Sequence, residues 1–220
     1  MRASTIFLLA ASTALAGAGA ARAQIPVRLH VTPFAGGALP LGKLPTPMLL
    51  SLDARETDQV VNAQLENAAA FGGIVGVRIG KHVAVEGTVS YVPGKVTADG
   101  LPSFDARILS YTGGLAYYIP APMRLEPFIN AGAGVKTYDF DRTPADRETD
   151  LVGSFGAGTN LTLTRALALR VEARDQVSSF NPKLGGVDNT IQHDLLLTGG
   201  LTFKLGKAGP TATVVQAPTR

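Results

Sequence analysis

The sequence predicts an all-β chain, an eight-stranded antiparallel up-and-down β-barrel that crosses a membrane. Three observations predict it. Eight runs alternate apolar and polar residues with the two-residue period of a strand. The connections between them alternate long and short. Charges of both signs collect on the less apolar parity, where a soluble core would not tolerate them.

Residues 1–23 read as an exported leader. Arg2 supplies the positive charge, residues 6–20 are apolar or small, and Ala21-Arg22-Ala23 has the small-x-small cleavage pattern. Residues 24–205 are assigned to the barrel and residues 206–220, with Pro210 and Pro218, to a flexible periplasmic tail. Without Arg2 and Arg22 the formal charge of +3 falls to +1, too small a surplus to suggest nucleic acid as a partner. The absence of cysteine is compatible with export, because a closed sheet needs no disulfide.

The strands follow in order. Residues 27–36 alternate Leu29, Val31 and Pro33 with Arg28, His30, Thr32 and Phe34. Residues 38–67, broken by Pro40, Pro45 and Pro47, read as a long loop. Phe71, Val75, Val77 and Ile79 then share a face in residues 69–79, and Gly80-Lys81-His82 is a tight turn. Val83, Val85, Val89 and Tyr91 oppose Glu86, Thr88 and Ser90 in residues 83–91.

Residues 93–104 read as a second long break. In residues 105–119, Leu109, Tyr111, Leu115 and Tyr117 oppose Ser110, Thr112 and Ala116, and the stop at Pro120-Ala121-Pro122-Met123 is short. Residues 125–136 alternate Ile129, Ala131 and Val135 with Glu126, Asn130 and Lys136. A charged connection over 139–150 leads to residues 151–162, a short turn at Thr164-Arg165, and residues 167–178, where Leu169 and Val171 oppose Arg170 and Glu172. The long connection 179–192 precedes the closing strand, residues 193–205.

A soluble sandwich has no reason to make every second connection short, whereas a membrane barrel has tight periplasmic turns and long outer loops. Lipid offers no hydrogen bonds, so every backbone group must pair and no sheet edge can stay open. With about eight strands the interior is narrow enough for side chains to fill. On this reading Arg28, Arg78, Glu86, Glu126, Arg170, Glu172, Arg174 and Lys204 form a lumenal charge network. Mixed signs let such groups pair where an unpaired charge would be costly. Phe71, Tyr91 and Tyr111 toward one rim and Tyr117 and Phe203 toward the other suggest an aromatic girdle.

The strand and loop rhythm, the run PFINAGAG at residues 127–134 and the last strand resemble the eight-stranded outer-membrane β-barrel family typified by OmpA and OmpX. In that family the last strand carries an insertion signal, and Thr198, Gly200, Phe203 and Leu205 match it. The resemblance implies residence in the bacterial outer membrane, with outer-membrane lipid and the assembly machinery as partners. It departs in continuing past Leu205, since such chains often end at the last aromatic position.

Other motifs are weak. His30, His82 and His193 lack metal-ligand spacing, so no metal is expected. The stretch GAGVKT at residues 132–137 splits the glycine-lysine pair of a phosphate loop, and no cofactor is expected. Ser178, Ser179, His193 and Asp194 flank the last outer loop and would be the parts of a hydrolase if they met; no spacing ties them together.

The function expected is non-enzymatic: a structural or surface-interaction role in which four outer loops engage an extracellular ligand. A narrow channel for ions or small apolar solutes is the alternative, and a lipid-modifying enzyme the third reading.

Overall fold

The computed structural model describes residues 27–41, 63–98, 101–121, 124–140, 148–180 and 190–205. They form strands β1 (Val27–Pro40), β2 (Ala63–Leu65), β3 (Ala68–Ile79), β4 (Val83–Ala98), β5 (Leu101–Tyr118), β6 (Leu125–Phe140), β7 (Glu148–Thr162), β8 (Leu167–Phe180) and β9 (Thr190–Leu205). All pair antiparallel in the ring β4-β3-β1-β9-β8-β7-β6-β5, which the β4–β5 ladder closes. Short β2 lies beside the outer end of β4, pairing Leu65 with Val96, above the stretch that β3 covers. Thus β2 and β3 are two sections of one stave, interrupted at Glu66 and Asn67, and the barrel has eight staves. The amide of Glu66 still donates to the Lys95 carbonyl across that interruption, at 2.9 Å.

The eight staves keep a common parity. Even-numbered residues such as Thr32, Ile74, Glu86, Ser110, Phe128, Asn160, Arg170 and Thr202 are buried in the lumen. Odd-numbered residues such as Val75, Val85, Leu115, Ile129, Phe155, Val171 and Leu201 are exposed on the outside. Only β2, offset by one residue relative to β3, turns the odd-numbered Leu65 inward.

Local chemistry fixes the inner turns. Gly80 has a φ of 69°, a conformation that side chains with a Cβ resist. At the β7–β8 turn the Thr164 hydroxyl accepts from the amides of Ala166 and Leu167, at 3.2 and 3.1 Å. Where β1 meets β9, the ladder skips Thr32 and Pro33 between Val31↔Phe203 and Phe34↔Gly200. Pro33 has no N–H to donate, and the Thr32 and Thr202 hydroxyls bond across the gap at 2.8 Å.

Several expected boundaries are wrong in the same direction. The break expected over residues 93–104 is instead strand, with Val92↔Ile108, Lys95↔Asp105 and Val96↔Phe104 paired, and only residues 99–100 join β4 to β5. One of the four outer loops is therefore a continuous hairpin, and the long-short rhythm fails there. The other outer connections shorten to residues 141–147 and 181–189. Residues 38–40 and 63–65, expected in the first long loop, are also strand. Residues 42–62 of that loop, the leader and the tail lie outside the described residues.

The physical reason is an inversion of the alternation. Along β4, Val85, Val89 and Tyr91 face out and Glu86, Thr88 and Ser90 face in; beyond Val92, Lys95 and Thr97 face out and Val96 faces in. On β5, Arg107 and Asp105 face out while Ile108 and Ala106 are buried. A strand that leaves lipid for water exchanges an oily outside for a polar one. The outward apolar stretch from Leu109 on β5 to Ile119, the residue just past its end, rises about 25 Å at an ordinary strand rise and a tilt of about 40°, the height of a membrane barrel's apolar band.

Candidate functional site

Strand pleating alone aims the even-numbered side chains at the axis, and the ring order places β4 diametrically opposite β8. Arg170 on β8 crosses the lumen to grip Glu86 on β4 with both terminal nitrogens, each 3.0 Å from one carboxylate oxygen. Its Nε donates to Glu172 Oε2 at 2.9 Å. The guanidinium carbon lies 4.0 Å from the centre of the Phe128 ring, a cation–π contact. The planar fork of arginine suits two carboxylates as no lysine could.

Each carboxylate is satisfied in turn. Glu86 also accepts from the Tyr118 hydroxyl at 2.9 Å and contacts His30 Nε2 at 3.2 Å. Glu172 accepts from Asn130 at 2.8 Å and from Arg174 Nε at 2.7 Å, while Arg174 Nη1 reaches Thr88 on the far wall at 2.9 Å. Arg170, Glu172 and Glu86 are 2%, 3% and 6% exposed, so the cluster is buried as well as paired. Beside it, bounded by Thr88, Thr112, Asn130, Ser154 and Arg174, is a cavity of about 20 Å³, room for about one water.

A second tier lies toward the short turns. Arg78 Nη1 is 3.2 Å from both oxygens of Glu126, and Lys204 Nζ is 3.7 Å from Glu126 Oε2. Arg78 also stacks on the Tyr118 ring at 4.1 Å. Arg28 is exposed at the rim and enters none of these ion pairs.

The third tier, toward the outside, was missed in the sequence. Lys136 is ion-paired with Asp194, to which Gln192 donates at 3.1 Å, and Gln176 reaches Ser110 at 3.1 Å. In the sequence Lys136 stands on the polar parity of residues 125–136 and Asp194 in the closing strand, but neither is among the residues of the expected lumenal network. Their even positions were the signal that could have joined them. Around and beyond this tier the lumen turns apolar: Ala38, Leu65, Ala70, Val92, Val96, Ile108, Tyr138 and Leu196 belong to one buried cluster.

Of the hydrolase set, Ser178, His193 and Asp194 do not meet, and the side chain of Ser179 lies outside the described residues. Ser178 is buried in the lumen, where its hydroxyl lies 3.4 Å from that of Tyr138. His193 projects from the outer face and pairs with Asp175 at 2.8 Å. Ser178 and His193 therefore sit on opposite sides of the sheet, and Asp194 is held by Lys136. Among the described residues no cluster of metal-ligating side chains occurs.

The insertion-signal positions divide by parity. Thr198 and Gly200 turn inward, whereas Phe203 and Leu205 face outward, 44% and 49% exposed. A Cβ on Gly200 would lie 2.5 Å from the Pro33 carbonyl oxygen and 3.0 Å from the Phe34 Cβ, so this glycine also lets β1 approach β9.

A closed ring of strands, oily outside and crossed inside by paired charges, defines a small transmembrane β-barrel with a side-chain-filled lumen. The family pattern described as the outer membrane protein beta-barrel domain matches residues 4–203, and the chain belongs to that family. It resides in the bacterial outer membrane.

Solved structures agree in fold. Neisserial surface protein A is 16% identical with a TM-score of 0.52, over 80% of this chain and 97% of that one. OprG from Pseudomonas aeruginosa is 16% identical with a TM-score of 0.51, over 82% and 96%. AlkL, determined in lipid bilayers, is 17% identical with a TM-score of 0.52, over 88% and 97%. No curated protein matches the chain.

Proposed function

We propose that this protein is a non-conducting, non-enzymatic barrel that anchors an outer surface in the outer membrane, its lumen closed by the charge network. The observation that carries this reading is the Arg170 bridge to Glu86 across the full width of the barrel, with Glu172 fixing its other edge. An ion entering such a lumen would have to displace charges that already satisfy each other in a water-poor site, where lost partners are expensive. The assigned roles follow. Arg78, Glu86, Glu126, Arg170, Glu172, Arg174 and Lys204 are the plug, and Arg28 is a rim charge. Thr198, Gly200, Phe203 and Leu205 are the signal read by the assembly machinery.

What remains for interaction is the outer end. The β4–β5 hairpin carries Lys95, Thr97, Asp105 and Arg107 outward on a packed apolar interior, a rigid polar surface suited to an extracellular ligand. The apolar upper lumen favours a second reading, a conduit for small apolar solutes, but the charged tiers beneath it offer such solutes no passage.

Liposome swelling separates the two. Vesicles holding the purified barrel should swell in small sugars and amino acids no faster than empty vesicles. Swelling at rates set by solute size would replace the plug with a pore.

A further inference from the structure

The two ends of the barrel differ in charge. The segments joining the outer strand ends, residues 41–67, 93–107, 137–150 and 179–192, hold twelve acidic and seven basic residues. Among the described residues of the short-turn end, Arg28, Arg78, Lys81, Arg124, Arg165 and Lys204 stand against a single acid, Glu126. The stretches that flank this end in the chain, residues 1–26, 122–123 and 206–220, contain no aspartate or glutamate to redress the balance. Glu126 is already shared by Arg78 and Lys204. Arg28 lies opposite Arg78 in the β1–β3 register, and like charges so placed repel.

Four of these cations, Arg28, Lys81, Arg124 and Arg165, are exposed, and among the described residues none of the four has an acidic partner. Their spacing follows the ring. Arg28 opens β1, Lys81 is in the β3–β4 turn, Arg124 ends the β5–β6 connection and Arg165 is in the β7–β8 turn, so each quarter of the circumference presents one. Their depth follows the apolar band. Arg28 directly precedes Leu29 and Arg124 directly precedes Leu125, while Lys81 and Arg165 lie two residues beyond Ile79 and Leu163. Those four apolar side chains are 40%, 39%, 42% and 46% exposed and mark the edge of the oily surface. A cation one or two residues past that edge sits at headgroup depth, because long basic side chains carry their charge to the interface.

We propose that the short-turn end is a collar for anionic phospholipid, in which Arg28, Lys81, Arg124 and Arg165 bind headgroup phosphates of the periplasmic leaflet. A folded partner or a single soluble anion calls for cations gathered in one sector, whereas lipid meets the barrel around its whole circumference. The surplus of positive charge favours a lipid with net negative charge over a zwitterionic one. A phosphate beside Arg28 also offsets the repulsion from Arg78.

The test uses the full chain folded into phosphatidylcholine vesicles, with spin-labelled phosphatidylglycerol or phosphatidylcholine as the probe. The motionally restricted fraction in the electron paramagnetic resonance spectrum is read. Phosphatidylglycerol should associate with the wild type about fivefold more strongly than phosphatidylcholine, the factor that one Lys or Arg beside an anionic headgroup is worth. Combining Arg28→Gln, Lys81→Gln, Arg124→Gln and Arg165→Gln should bring the two lipids to near parity, and Arg28→Gln with Arg165→Gln alone should fall between. Lys95→Gln with Arg107→Gln, at the outer end, should keep the wild-type preference. Inorganic phosphate should weaken that preference no more than sodium chloride of equal ionic strength, as screening alone requires. Equal association of the two lipids with the wild type would overturn the proposal, as would a preference that survives both short-turn variants or is lost in the outer-end one. A preference abolished by inorganic phosphate but not by chloride would also overturn it, and would assign the collar to a soluble anion.

Discussion

Arg170 is the arginine that pairs with Glu86 and it shares Glu172 with Arg174, so its loss should be felt more than that of any other lumenal side chain. Truncating it to alanine leaves the buried Glu86 carboxylate without its arginine, and breaking a buried pair in this way costs about 3–5 kcal/mol. Urea unfolding of the barrel in lipid vesicles should show that loss for Arg170→Ala. Arg78→Ala should cost much less, because its partner Glu126 is half-exposed and keeps Lys204 nearby. Close backbone approach gives a second contrast at this scale. A Cβ at Gly134 would stand 1.8 Å from the Tyr111 carbonyl oxygen, whereas at Gly199 it would meet nothing. Gly134→Ala should lower the yield of folded barrel, and Gly199→Ala should refold like the wild type, within about 0.5 kcal/mol, as surface changes usually do. Heat-modifiable gel mobility reads the first and urea titration the second.

At the scale of the strand, the two sides of β9 should answer differently to the same substitution. Leu196 is buried in the apolar upper lumen and Leu197 faces outward, 46% exposed. Leu196→Ala should destabilise by about 2–5 kcal/mol, the range for a buried leucine. Leu197→Ala should destabilise less, since fluid lipid closes over the missing methyls. This element also shows what the sequence made legible. All eight staves and their facing could be read because, within lipid, the outside must be oily and the inside must pair its charges. The same rule hid the outer ends of β4, β5 and β6. Lys95 and Asp139 break an oily parity, yet they continue the strand once its outside is water. Of the charge network, members that repeat along one strand, such as Arg170, Glu172 and Arg174, stood out. Partners brought in by register from distant strands, such as His30, Tyr118, Asn130 and the Lys136–Asp194 pair, did not, because alternation gives facing without height.

If Thr198, Gly200, Phe203 and Leu205 suffice as the insertion signal, deleting residues 206–220 should leave the amount of heat-modifiable barrel unchanged. A loss of assembled protein would move the signal into the tail. The lumen carries the proposed function, in which three tiers of bonds across the barrel would make it a closed anchor instead of a pore. Planar-bilayer recording of the purified barrel tests it most directly. The closed lumen predicts no steady single-channel conductance from the wild type in either polarity. A stable conductance that changes with Glu172→Ala would show that ions pass through the network, and would contradict the account at its centre.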